Sequence, residues 1–170
     1  MMHGPRSILA ALCFFVAAAS SQLQAGTMAR VDTFGDWELL TDTETPHLFC
    51  FVTSEAKSST SDNAQRETPR AYISAWPKDG IRSEVSFRMG FQIKKSAQGT
   101  ASVGAGGFTL FGSNDRAFVS DSTQELKLIE AMRKGSSMTV MIASDQGTVT
   151  DTYSLSGVGV ALQKLQETCF

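Results

Sequence analysis

Two cysteines, Cys50 and Cys169, carry the clearest chemistry in this chain of 170 residues. A third, Cys13, lies inside an apolar run near the start and is expected to leave with it. That leaves an even pair in a protein bound for an oxidising compartment, where disulfides persist. Cys50 and Cys169 are therefore expected to pair, closing a loop of 119 positions. On the chain-entropy account, a loop of that size stabilises a domain by about 4 to 5 kcal/mol. The alternative is two free buried thiols. With His47 they supply only three metal donors, short of the four that close a structural zinc site.

The remaining reactive residues do not assemble into a site. His3 falls in the leader, so His47 is the single histidine of the mature chain. A serine nucleophile would need it as base, yet no Gly-x-Ser-x-Gly elbow occurs. Gly104 to Gly107 lacks the Lys-Ser/Thr of a phosphate loop and reads as a turn. Asp145 and Asp151 flank Gln146-Gly147-Thr148 in the manner of a hairpin turn rather than an acid-base pair. Asp62-Asn63 lacks the oxygen ligands of a calcium loop. No catalytic, cofactor or metal residue is assigned. Trp37 and Trp76 are expected to fill the core, as are the methionines, rather than line a ligand cleft.

Location follows from the first 25 residues. Arg6 precedes the 12-residue apolar run Ile8 to Ala19, followed by the small and polar stretch Ser20 to Ala25. This is the layout of a secretory signal peptide. Twelve helical residues rise about 18 Å, too little to span a bilayer core of about 30 Å. Cleavage is placed after Ala25, with Ala17-Ala18-Ala19 the other small-residue site. Residues 26–170 then form a single domain with no stable membrane span. The whole chain has 15 basic and 17 acidic side chains, so no basic surplus exists for a nucleic-acid partner.

Period-2 patterning dominates that domain. Val85 to Met89 and Met138 to Ile142 alternate as half-buried strands. Trp37 to Leu40, Leu48 to Thr53, Ala71 to Trp76, Phe108 to Phe111, Ala117 to Ser120 and Val149 to Leu155 are short and rich in aromatic or β-branched residues. About eight strands with turn residues between them predict a mainly β fold, an antiparallel β-sandwich or flattened barrel. Two α-helices are expected, at about 123–134 and 157–168. Ser122 to Glu125 has capping-box spacing, Leu126, Ile129 and Met132 form a stripe, and Gly135 ends the first helix in a left-handed conformation. The second carries Val158, Leu162, Leu165 and Cys169 on one stripe, which aims Cys169 at the strand holding Cys50. Glu55 to Arg70 has almost no large apolar residue and reads as a mobile surface loop.

Several motifs together resemble a known family. They are Phe34-Gly35-Asp36-Trp37, Cys50 to Ser54, Ser83 to Ser86 before Gly90-Phe91, Ala131 to Gly135, and above all Thr150-Asp151-Thr152-Tyr153-Ser154-Leu155-Ser156-Gly157, with Ala161-Leu162 and Cys169. In order and spacing they are similar to the invasion-associated locus B family over nearly the whole mature chain. The chain departs from the family pattern in two places. Leu39-Leu40-Thr41 stands where some relatives carry another cysteine, and Gln146 stands where an arginine is often seen. The resemblance implies an exported bacterial protein, periplasmic, outer-membrane-associated or secreted, in a family named for a contribution to host-cell entry. It implies no enzyme and no cofactor.

The functional expectation is a non-enzymatic exported module that binds a protein or envelope component through strand edges and aromatic surface. The competing expectation is a small periplasmic hydrolase or a lipid or ligand carrier. A carrier would need an apolar cavity of about 300 Å³ or more.

Overall fold

A computed structural model describes residues 27–45, 48–61, 65–94, 96–144 and 147–170. The expected leader, His47, Asp62-Asn63, Asp145 and Gln146 lie outside the described residues. Eleven strands form one antiparallel sheet: β1 (Met28–Phe34), β2 (Trp37–Asp42), β3 (Cys50–Glu55), β4 (Ser58–Ser59), β5 (Arg70–Trp76), β6 (Ile81–Arg88), β7 (Gln98–Val103), β8 (Gly106–Ser113), β9 (Arg116–Val119), β10 (Ser137–Ser144) and β11 (Gly147–Ser154). Their spatial order is β1-β2-β3-β5-β6-β9-β8-β7-β10-β11-β4. Two α-helices, α1 (Ser122–Lys134) and α2 (Val158–Cys169), accompany the sheet among the described residues.

The mainly β, antiparallel architecture with two helices agrees with the patterning, but it is one continuous curled sheet and not a closed barrel. Alternation explains the layering. Cys50 and Val52 of β3, Ala71, Ile73 and Ala75 of β5, and Val85 and Phe87 of β6 point to the concave side and are buried. α2 packs there against β1, β2, β3 and β5, while α1 packs against β7, β8 and β9. The helices thus fill the bowl that the sheet forms. The α2 stripe Val158, Leu162, Leu165 and Cys169 is buried as its spacing requires. A disulfide joins Cys169 to Cys50, with a Cα–Cα distance of 6.4 Å.

Three strands escaped the sequence reading. β1 is an edge strand with a mostly exposed middle, and β4 has only two residues. β7 (QGTASV) lacks the large residues that mark a strand. Smallness serves it, because a Cβ on Gly99 would lie 2.5 Å from the Met141 carbonyl of the neighbouring strand.

Helix α1 starts and ends differently from expectation. Asp121 is its N-cap, the carboxylate accepting from the Gln124 N–H at 2.9 Å. A charged acceptor at the positive end of the helix dipole outcompetes the Ser122 capping box. Glu125 turns to the sheet and accepts from the Val85 N–H at 3.0 Å. The buried stripe is Leu128, Ile129 and Met132, whereas Leu126 is 62% exposed. A strict spacing of three drifts around a helix of 3.6 residues per turn. Gly135 is extended (φ −88°, ψ 167°) because the chain runs directly into β10. Its lack of a side chain is still required, since a Cβ would meet Val103 at 2.5 Å.

Candidate functional site

The motif residues from the two ends of the chain meet in space. The β1–β2 turn, Gly35-Asp36, packs on the junction between β11 and α2. The Asp36 N–H donates to the Ser156 carbonyl at 3.0 Å, and the Trp37 indole N–H donates to the Ser154 carbonyl at 3.0 Å. Gly35 and Gly157 interlock: both have positive φ, and a Cβ on Gly157 would lie 1.9 Å from the Phe34 carbonyl oxygen. The Asp36 carboxylate accepts from Lys57 Nζ at 2.5 Å. That bond, followed by one from the Ser154 hydroxyl, holds the Asp36 carboxyl below its ordinary pKa.

The rest of the motif continues this clasp. Thr150 and Thr152 carry β4: the Thr60 N–H donates to the Thr150 carbonyl and the Lys57 N–H to the Thr152 carbonyl, at 2.9 and 2.7 Å. Asp151 is fully buried and takes a bidentate guanidinium from Arg66, at 2.9 and 2.6 Å. Asp151 is therefore no hairpin-turn residue. The pleat turns it inward, and Arg66 reaches in to neutralise it, as a buried charge demands. Arg66 also donates through Nε to the Met89 carbonyl at 2.6 Å and lies 5.0 Å from the Phe91 ring centroid. The expected surface loop 55–70 thus contains both β4 and a side chain anchored in the interior. Tyr153 fills the core beside Phe87, and its buried hydroxyl has no hydrogen-bond partner. Burial and the nearby Asp151 charge push its pKa far up. Leu155 is buried as well.

A family model described as Invasion associated locus B (IalB) protein matches residues 37–166. The chain belongs to that family. Among solved structures it is similar to the crystal structure of invasion associated protein b from Bartonella henselae, with a TM-score of 0.54 at 16% identity. That alignment covers 79% of this chain and 94% of the other, and it shows a shared fold. No curated protein matches the sequence.

The motif residues of this IalB domain hold the curled sheet together. On the convex side the outward residues of adjacent strands fall into rows. One row carries Tyr72 (β5), Ser86 (β6), Phe118 (β9) and Phe111 (β8) as direct register partners. Phe111 and Phe118 stack with centroids 5.7 Å apart, and Phe111 is 46% exposed. Beyond Ser86, a second run of rings extends towards β3. Tyr72 meets Phe51 at 5.7 Å, Phe51 meets Phe49 at 5.4 Å, and Phe49 meets Trp76 at 5.0 Å. Trp37 is buried in the core as expected, but Trp76 is not. With Ala71, Ile73 and Ala75 facing inward, alternation turns Trp76 to the convex side. Met141 is likewise 44% exposed rather than buried.

The outer surface formed by the described residues includes two open concavities. One, of about 280 Å³, is rimmed by the Asp36–Lys57 and Glu55–Arg70 ion pairs; the other, of about 240 Å³, lies between Phe111, Phe118, Glu84 and Glu125. Neither is the enclosed apolar cavity that a carrier requires. Among the described residues no three His, Cys, Asp or Glu side chains converge as metal ligands. No described helix is long and apolar enough to cross a membrane.

Proposed function

We propose that this IalB-family chain is an exported, non-enzymatic binding module of the cell envelope whose working surface is the convex aromatic face. The observation that carries the reading is two runs of partly exposed rings, Trp76–Phe49–Phe51–Tyr72 and Phe118–Phe111, set on either side of Ser86 on the side of the sheet opposite the helices. Such a patch leaves apolar area in water that a partner would cover. The leader-like start and the Cys50–Cys169 disulfide support export. The family name and that of the Bartonella henselae relative make contact with a host cell one setting for such a surface.

A photo-activatable residue in place of Phe111, compared with one in place of Val160, tests this in intact cells. Both positions are exposed, and Val160 lies on α2, on the other side of the sheet. Crosslinked products from position 111 and not from 160 are expected. Equal products from both, or none from 111, would overturn the assignment of the face.

A further inference from the structure

We infer that the convex face takes an acidic saccharide, a chain of sugar rings bearing carboxylate or sulfate groups. This rests on the binding-module reading and names its ligand class. The decisive feature is a second row on the same face, one pleat from the aromatic one. Arg70 of β5 is the register partner of Arg88 on β6, and Arg88 is the partner of Arg116 on β9. Neighbouring strands are about 4.8 Å apart, so three guanidinium-bearing side chains stand side by side. Like charges directly opposite one another destabilise a sheet. The row is therefore expensive in a chain whose formal net charge is −2.

The counter-charges within the protein are weak. Glu55 pairs with Arg70, and Glu67, itself 70% exposed, sits 3.3 Å from Arg88. Arg88 Nε is buried without an acceptor. Arg116 has no carboxylate partner among the described residues; it lies 4.7 Å from the Tyr72 ring centroid and donates to the Ser86 hydroxyl at 3.3 Å. An external anion would complete the row, and planar guanidinium forks suit carboxylate or sulfate oxygens.

The rest of the face selects among anions. About 7 Å along the strands from the arginines come the stacked rings of Phe118 and Phe111, the exposed Phe111 a flat support for the apolar face of a sugar ring, whereas the Tyr72 ring of the same row already carries the Arg116 guanidinium. Farther still, Glu84 and Glu125 line the 240 Å³ concavity and offer acceptors for hydroxyl groups. Cations, rings and carboxylates in succession fit a ligand that has acid groups, ring faces and hydroxyls. The rings are packed against one another rather than projecting, which disfavours insertion into a lipid surface. Strands β5, β6, β9 and β8 are all paired on both sides, so no free edge is offered to an extended peptide.

Calorimetry of the folded, disulfide-bonded protein with polygalacturonate as probe tests this. Binding that weakens with salt is expected, and Arg70→Gln combined with Arg116→Gln should lower affinity about tenfold or more. Phe111→Ala, at an exposed site where folding is safe, should lower it severalfold, while Arg133→Gln on α1 should leave it unchanged. Binding of neutral galactan with equal affinity and no dependence on the arginines would overturn the acidic part of the inference. So would arginine-dependent binding of phosphatidylglycerol vesicles or oligothymidylate without binding of polygalacturonate. If nothing binds but position 111 still crosslinks in cells, the saccharide inference falls and the binding module stands. If position 111 fails to crosslink as well, both fall.

Discussion

At the scale of single residues, the Arg66–Asp151 pair decides how the clasp behaves. It is buried, bidentate and joins a polar loop to the centre of β11. Removing one partner strands a charge in the interior, so Arg66→Met or Asp151→Leu alone should lower unfolding free energy by about 3 to 5 kcal/mol. The double variant should recover much of that loss, and chemical denaturation of the four proteins reads the coupling directly. Glu125 makes a different prediction. Burial raises its pKa above the ordinary 4.5, opposed by its bond from the Val85 N–H and reinforced by the Glu84 charge. A carboxyl raised in the folded state favours its acid form. Its contribution is complete below about pH 4.5 and is lost as pH climbs through the raised folded value. Glu125→Gln, held neutral, keeps that contribution. The melting-temperature difference between variant and parent should be near zero in acid and grow as pH rises through that window; a difference independent of pH would contradict it.

Between elements, the Gly35–Gly157 contact makes the sheet's two ends meet. Gly157→Ala forces a left-handed alanine and a clash with the Phe34 carbonyl, and should destabilise by about 2 kcal/mol or more. Gly159→Ala, at the second position of α2 with open space around it, should stabilise by about 0.5 to 1 kcal/mol. Thermal melts of the two variants should move in opposite directions. How far these elements were legible varies with their physics. Helix α2 was readable in phase because its stripe follows one period throughout, and that phase delivers Cys169 to Cys50. The strands rich in aromatic and β-branched residues were equally plain. β7 was not, because close strand approach selected small residues there. The Arg66 anchor was invisible, since nothing in a polar loop announces that one of its arginines will turn inward. The arginine row is a property of register, and register emerges only when strands separated by loops are aligned. For Trp76, strand phase and not ring size decides the side of the sheet it faces.

For the whole molecule, the disulfide ties the last helix to an early strand across 119 positions. Reduction, or Cys169→Ser, removes about 4 to 5 kcal/mol on the chain-entropy account. The melting temperature should then fall by roughly 10 °C or more. Division of labour between the two sides of the sheet is the larger claim: the concave side and the clasp make the fold, and the convex side makes contact. Backbone amide shifts on titration with polygalacturonate examine it residue by residue. The account predicts perturbations concentrated in Arg70–Trp76, Ile81–Arg88 and Arg116–Val119, with the Thr150 to Gly157 segment still. Perturbations centred on that segment and the Asp36 turn, with the convex strands silent, would contradict it.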